Sequence, residues 1–362
     1  MKKILYVISS LESSGPVKIL YNIACHIDKK KYDVYVLALS PARRNDLQLD
    51  FKSLGVNVHT LNISRSMMFI QGKNILCHII EDIKPDIVHT QCFRSTIFMQ
   101  YFAKKVALCT TIHCIFYQNF LFSYGSFIGW MMIQMYAKAL KKYDICVACS
   151  ETVRRGISSR YKLNITHVRN GIKVPVIKHV SEQLSLIQHR NELGLAGYEK
   201  IFICTGTICY GKNQAQILRC LKNMNNICVV FLGDGPDFEI LKKESQKNAI
   251  FLGNVNNVYE YLAVADGFVS ASLSEGMPNA VLEALMMGLP CILSNIEAHC
   301  EIKNAYPDAC FLYDSDDDKD LLACFYKVIS MKISYESISH ASKKLFSSDV
   351  MSSEYQDIYA RL

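Results

Sequence analysis

The stretch LSEGMPNAVLEALMMGLP, residues 273–290, lies between two apolar, β-branched runs and has the internal order of a strand end, a turn and a helix. A strand closes at about Leu273, Glu275 and Gly276 make the turn, and Pro278 stands where a first helical position tolerates a missing N–H. A helix starting there leaves the amides of Gly276, Met277, Asn279 and Ala280 without intrahelical partners, which makes an anion site suited to a diphosphate. Seven residues separate Glu275 from Glu283, so the first stands ahead of the helix and the second about a turn and a half inside it. Taken alone, Glu275 would be a helix cap and Glu283 an ordinary surface residue. The neighbours Ala280, Val281, Leu282, Ala284, Leu285 and Met286 are apolar nearly all round, however, so the helix reads as buried. A carboxylate within it needs a partner, and sugar hydroxyls are good donors to it.

Outward from this stretch, short β-branched runs alternate with helical patterns along the whole chain, the signature of parallel α/β architecture. Strands are expected at 3–9, 32–39, 56–63, 86–91, 106–113, 144–150 and 165–170, nearly all apolar on both faces as strands covered by two helical layers must be. Pro175 then interrupts the pattern without opening a helix. The alternation restarts at 201–207, 227–233, 249–254, 267–273, 290–295 and 309–314, and two further helices follow from about Ile333. The acidic run 314–320 reads as a solvated turn and helix N-terminus. The expected fold is two doubly wound, Rossmann-like domains facing across a cleft. Residues 1–172 form the first, 173–180 a hinge and 181–345 the second, with 346–362 a tail helix packing back toward the first. Ligands of such sheets bind outside the carboxyl ends of the strands, so the loops after strands are where function is sought.

The chain has 362 residues, 50% apolar and 20% charged, enough for two cored domains and unlike a disordered, collagenous or disulfide-stapled sequence. Its net charge of +7 divides unevenly: residues 1–175 hold 24 Lys and Arg against 10 Asp and Glu, and residues 176–362 hold 16 against 23. The basic half is thus expected to face something anionic. The Lys and Arg are dispersed with no recognition motif, which argues against nucleic acid. Fifteen Cys lie scattered in apolar runs and read as small buried hydrophobes of a reduced, cytoplasmic protein; no signal peptide is recognised at Met1-Lys2-Lys3. Cys146 and Cys149 have metal-like spacing, but in a strand they point to opposite faces and no second such pair answers them.

With its E-x7-E carried by EGMPNAVLEALMMGLP, the chain resembles the large retaining glycosyltransferase family of the GT-B fold, of the group 1 and family 4 type, over essentially its whole length. That resemblance implies that Glu283 meets the nucleotide ribose and Glu275 the donor sugar near its reacting end, with Gly276, Met277, Pro278 and Asn279 in the loop and helix start that approach sugar and phosphate. The family also has a Gly-Arg pair after the first strand of its second domain, followed by a Lys, both on the diphosphate. Here Gly206-Thr207 is followed by Lys212, so the Lys keeps its place and Thr207 stands where Arg is usual. In the first domain Gly15 fits the family's small turn next to the diphosphate, and His113, ending its strand, fits a His that contacts the donor sugar. One Gly in the first loop is too few for the G-x-G-x-x-G of a dinucleotide-dependent dehydrogenase.

Residues 106–137 contain no Asp, Glu, Lys or Arg and end in Lys138, Lys141 and Lys142. This reads either as a buried helix with an entry loop or as an aromatic surface resting in a membrane interface; it is too finely divided by polar residues and Gly to cross one. The expected function is transfer of a hexose or N-acetylhexosamine from a nucleotide-diphosphate sugar, UDP-linked by resemblance to bacterial surface-polysaccharide enzymes. The expected acceptor is a hydroxyl of a lipid-diphosphate-linked saccharide at an anionic membrane surface. Catalysis would come from Lys212 and helix amides stabilising the leaving diphosphate, with His113 and Glu275 at the sugar. Asp-x-Asp spacing occurs only within the acidic run 314–320, read as a solvated turn, so neither a metal nor another cofactor is expected. A nucleotide-sugar epimerase, a phosphorylase and a non-catalytic sugar-binding relative share the architecture and remain alternatives.

Overall fold

The computed structural model describes residues 1–362 apart from 44–45, 64, 176–178, 181, 223 and 225, and apart from the side chains of 65, 66 and 69. The described residues fall into two compact units, Met1–Gly171 with Ser348–Leu362, and Ile172–Ser347. Residues 176–178 of the expected hinge lie outside the described residues. Of its remainder, His179 stacks on Tyr335 at 3.6 Å between ring centroids and Val180 donates its N–H to the carbonyl of Ala263, so both pack on the second unit.

In the first unit seven strands form one parallel sheet: β1 (Lys2–Ile8), β2 (Tyr32–Ala38), β3 (Asn57–Thr60), β4 (Ile87–Gln91), β5 (Ala107–Ile112), β6 (Ile145–Ala148) and β7 (Ile165–His167), in the order β3-β2-β1-β4-β5-β6-β7. Six more form the sheet of the second: β8 (Lys200–Thr205), β9 (Ile227–Leu232), β10 (Ala249–Gly253), β11 (Gly267–Ser270), β12 (Cys291–Ser294) and β13 (Cys310–Tyr313), ordered β10-β9-β8-β11-β12-β13. Every pairing is parallel. The central strands β1, β4, β9 and β12 are buried on both faces over most or all of their length, whereas the edge strand β3 alternates exposed and half-buried positions. The doubly wound α/β reading of each half thus holds, with β3 and β7 correcting the expectation of apolar cover throughout: only one side of an edge strand has a neighbour.

The strands stop short of the runs read from sequence. The 267–273 run leaves the sheet after Ser270, because Leu273 bonds to the carbonyl of Gly211 and Ser294 Oγ donates to that of Ser272 instead of continuing the ladder. In each sheet strand order reverses once, at β1/β4 and at β8/β11, and the loops after those strands meet at the reversal, where ligands of open parallel sheets bind.

Two helices complete the first unit in ways its sequence order conceals. Phe116–Leu140 is broken at Gly125, whose φ of 73° and ψ of 177° turn the chain between two helical arms. Ser348–Arg361, from the far end of the chain, buries Met351, Tyr355 and Tyr359 against the first sheet and the helix Gly15–Cys25, with Ser352 Oγ donating to the carbonyl of Ile23 at 2.9 Å. The acidic run ends as expected in a helix start, where the Asp317 carboxylate caps Asp318–Ser330 through the amides of Lys319 and Asp320. No helix among the described residues is long and apolar enough to cross a membrane.

Candidate active site

In the second unit the loops after β8 and β11 carry the expected residues to one place. The β8 loop leaves the sheet at Gly206, whose φ of 130° favours glycine, and closes with a short helical turn, Tyr210–Lys212, into Asn213, itself left-handed at φ 51°. Gln214 pins this loop by donating to the carbonyl of Thr207 at 3.0 Å. The bond from Leu273 N–H to Gly211 at 2.9 Å then ties it to the β11 loop. Side by side, the Lys212 ammonium pairs with the Glu275 carboxylate, which also accepts from Ser272 Oγ at 2.8 Å. Both side chains are partly shielded from solvent, so the pair is better screened from salt than a surface one.

The shape of the β8 loop depends on its neighbour. A Cβ on Gly233, in the turn after β9, would stand 2.0 Å from the carbonyl oxygen of Gly206, and one on Gly235 would stand 2.3 Å from that of Ile208. The two turns lie backbone on backbone, with Gly206 N–H bonded to Leu232 and Ile208 N–H to Asp234. Gly233-Asp234-Gly235-Pro236 is thus the mould for the loop bearing Thr207 and Lys212.

Beyond Glu275, Gly276 and Met277 are buried, and the helix Asn279–Met286 starts one residue later than the proline position implied. Pro278 is its extended N-cap, with φ −78° and ψ 100°, and its carbonyl takes the amides of Val281 and Leu282. Pro278 supplies no side-chain cap of its own. Val281, Leu282, Ala284, Leu285 and Met286 are buried, as the apolar surround of Glu283 required, and Glu283 itself is half-buried. The Tyr259 hydroxyl reaches its Oε1 at 3.5 Å, and burial followed by the Glu283 charge pushes that phenol well above its ordinary range.

One neighbour of Glu275 was missed. His299 is fully buried after β12, its Nδ1 held to the carbonyl and hydroxyl of Ser294 at 2.9 and 3.1 Å, while its Nε2 is buried without a hydrogen-bond partner. Burial holds it at about 4, opposed by the Glu275 charge, so it is a neutral imidazole. Its sequence setting, IEAHCEI on a helix, gives no sign of this.

Gly15 and His113 belong to the first unit. Gly15 opens the helix Gly15–Cys25 and is exposed, behind a Ser14 N-cap that makes no side-chain bond. His113 is the first residue past β5. Burial pulls it to about 4, so it too is neutral. Its Nε2 lies 2.6 Å from Gln91 Oε1, and Gln91 Nε2 lies 3.3 Å from His89 Nε2. His89 reaches the Tyr359 hydroxyl through Nδ1 at 2.7 Å and Thr111 Oγ1 through Nε2 at 2.8 Å, and Thr111 meets the Tyr355 hydroxyl at 2.8 Å. With Gln91 Oε1 facing His113, the His113 Nε2–H donates to Gln91, leaving Nδ1 as the acceptor. Next to this chain Cys92 is held at φ 75°, a strained setting for a residue with a Cβ, and two residues on Arg94 binds the Ser9 carbonyl and the Ser40 hydroxyl after β1 and β2. None of Gln91, Cys92 and Arg94 stood out in the sequence, because none falls in a motif.

The Cys pair at 146 and 149 is buried, with each sulfur bonded to a different backbone carbonyl, Leu140 and His113. Burial pushes the Cys146 thiol up to about 12, as befits a core residue. Among the described residues no group of three or more His, Cys, Asp or Glu is placed to share a metal ion.

Two all-parallel sheets, each reversing strand order once, are the architecture of the GT-B glycosyltransferases. HepE from Anabaena, solved in complex with UDP-glucose, superposes with a TM-score of 0.84 over 100% of both chains at 13% identity. Residues 187–345 match the family of glycosyl transferases group 1 and residues 13–174 the Glycosyltransferase Family 4, and the chain belongs to this glycosyltransferase family. Among curated relatives, the Escherichia coli UDP-Gal:alpha-D-GlcNAc-diphosphoundecaprenol alpha-1,3-galactosyltransferase is 26% identical over 71% of this chain and 70% of its own. The O-antigen biosynthesis glycosyltransferase WclY of Escherichia coli is 20% identical over 99% of this chain and 98% of its own.

Proposed function

We propose that the protein is a retaining glycosyltransferase of bacterial surface-polysaccharide synthesis. It would move a hexose or N-acetylhexosamine from a nucleotide-diphosphate sugar, UDP-linked, to a hydroxyl of a lipid-diphosphate-linked saccharide at the inner face of the cell membrane. The observation that carries this reading is the Lys212–Glu275 pair at the β8/β11 reversal, just ahead of the helix Asn279–Met286. The activities of the two relatives, a galactosyl transfer to a diphosphoundecaprenol-linked sugar and O-antigen synthesis, support this substrate class.

In this reading the leaving nucleoside diphosphate gains charge as the glycosidic bond breaks. Lys212 turns from Glu275 to the diphosphate and stabilises that charge, and the exchange releases the Glu275 carboxylate to a hydroxyl of the donor sugar. Each charge keeps a partner before and after, so neither is left buried and alone. Glu283 accepts from the ribose hydroxyls. Gly206, Thr207, Gly276, Met277, Pro278 and Asn279 line the approach to sugar and phosphate. Thr207 in place of Arg supplies a hydroxyl and no charge, which leaves Lys212 the principal cation of its loop. Gly15 gives the first unit's backbone close access to the diphosphate, and neutral His113 offers its Nδ1 to a sugar hydroxyl. The acceptor hydroxyl attacks the face from which the diphosphate leaves, passing its proton to a phosphate oxygen. No metal takes part.

Glu283→Ala and Lys212→Ala are each expected to lower kcat/KM by two or more orders of magnitude, about 3 kcal/mol of lost transition-state stabilisation, in variants whose circular dichroism and Tm match the parent. Chelation of divalent metal with EDTA leaves turnover unchanged, and proton NMR of the product shows the anomeric configuration of the donor. Full activity in the folded Lys212→Ala protein overturns the assignment. Hydrolysis or epimerisation of donor without acceptor as the dominant reaction favours the epimerase alternative.

A further inference from the structure

The two arms of the broken helix Phe116–Leu140 form a hairpin whose base and tip differ in character. At the base Phe116, Phe120, Ile133 and Tyr136 are buried, and the rings of Phe116 and Phe120 stand 5.0 and 5.9 Å from that of Tyr136. The arms press together at Gly129, where a Cβ would lie 2.6 Å from the carbonyl oxygen of Phe120. Beyond that crossing the tip is open to solvent although it is apolar. Leu121 is 41% exposed, Tyr124 53%, Phe127 75%, Ile128 53%, Trp130 56% and Met131 43%. A soluble monomer rarely displays so many large apolar side chains together.

Three further features say what covers them. Phe127, Met131 and Met135 recur at helical spacing, so they form one exposed stripe along the second arm, and Lys138 ends it on the same face. Lys141 and Lys142 follow, also exposed, and Lys73 and Lys142 flank the exposed Tyr101 ring at 5.7 and 5.8 Å from its centroid. No acidic residue occurs anywhere from 87 to 143. An apolar aromatic stripe ending in lysines, on the half of the chain with the positive excess, complements the acyl boundary and the anionic head groups of one membrane leaflet. The arms are too short and too interrupted to span a bilayer.

We infer that the exposed face of the hairpin between Leu121 and Met135 is a membrane-interface anchor that inserts its apolar side chains among acyl chains while Lys138, Lys141 and Lys142 meet anionic phospholipid head groups. It deepens the proposed function, resting on it for the lipid-linked acceptor. The hairpin rises directly from the carboxyl end of β5, three residues after His113, so the anchor and that histidine share one edge of the first unit.

Trp130 is the one tryptophan of the chain, which makes the test direct. The full chain is titrated with vesicles of phosphatidylcholine and phosphatidylglycerol and with vesicles of phosphatidylcholine alone, in low and high salt. The expected result is a blue shift of Trp130 emission together with cosedimentation, about tenfold stronger on the anionic vesicles at low salt. Phe127→Asp with Ile128→Asp, both at exposed positions, abolishes the shift and the cosedimentation while leaving transfer to a soluble acceptor analogue unchanged. Replacing Lys138, Lys141 and Lys142 by Gln removes the preference for anionic vesicles. No shift and no cosedimentation with either vesicle overturns the inference. So does a shift that tracks protein concentration without lipid and accompanies a dimer in analytical ultracentrifugation, which assigns the tip to a second copy. These readouts need no turnover, so inactive protein that still binds vesicles overturns the proposed function and leaves the anchor standing.

Discussion

Gln91 is held between two histidines, accepting from one and donating to the other, and its value lies in fixing which nitrogen of His113 carries the proton. Replacing it with Leu leaves the His113 Nε2–H without its acceptor. The expected loss is about tenfold in kcat, the order of one hydrogen bond at 1.4 kcal/mol, with donor KM little changed. Gln91→Glu sets a carboxylate against the ring instead, which favours the imidazolium and raises the His113 pKa, so the acid limb of the pH–rate profile moves to higher pH. A profile unmoved by Gln91→Glu would show that the pair does not bear on turnover. At this scale the sequence was legible where charge and glycine spacing constrain chemistry, as at Lys212, Glu275 and Glu283. It was silent on Gln91, Arg94 and His299, whose roles arise from neighbours 22, 85 and 5 positions away. No spacing rule connects residues on different elements of a fold.

Between elements, the pairing of the turns after β8 and β9 decides where Lys212 stands. Gly233→Ala puts a methyl group 2.0 Å from the Gly206 carbonyl, closer than atoms can approach, and its φ of 139° already disfavours any side chain. The β8 loop must move. The expected outcome is a loss of UDP affinity of tenfold or more by calorimetry, with far-UV circular dichroism unchanged; undiminished affinity would show that the loop's position does not govern donor binding. Strand placement was the most legible feature, because buried parallel strands advertise themselves as β-branched runs: each of the thirteen strands lies within or one residue outside an expected run. Strand ends were not, since the alternation of apolar residue and Ser in β11 runs on through Ala271, Ser272 and Leu273 and only their hydrogen-bond partners tell them apart. The hairpin at Gly125 was half legible: its apolar content was plain, but whether it was buried turned on a backbone conformation that one glycine permits and does not announce.

Across the molecule, each unit holds a fully buried neutral imidazole, His89 at about 3 and His299 at about 4 through burial. In the unfolded chain both return to about 6.5. Between pH 6.5 and 4 the unfolded state therefore binds protons that the native state refuses, and stability falls as pH falls. Above pH 6.5 both states are neutral and the effect is absent. Between pH 7 and pH 5 the second unit is expected to lose about 2 kcal/mol and the first, which also holds His113 at about 4, about twice that, read as a shift in urea midpoint. Equal midpoints at the two pH values would show that the histidines are solvated. The burial of His89 is itself a property of the whole chain, because the rings that cover it, Tyr355 and Tyr359, come from its last helix.

That helix carries a consequence for biosynthesis. On the ribosome residues 172–347 are translated before Tyr355 and Tyr359, and the sheet those tyrosines cover is translated before either. The unit begun first is the unit finished last. Until residues 348–361 are made and have docked, His89 and Tyr6 face water or a chaperone, and the first unit keeps an open core. A premature stop a few codons before residue 348 would spare every residue assigned to donor binding in the second unit and still deny the first its cover.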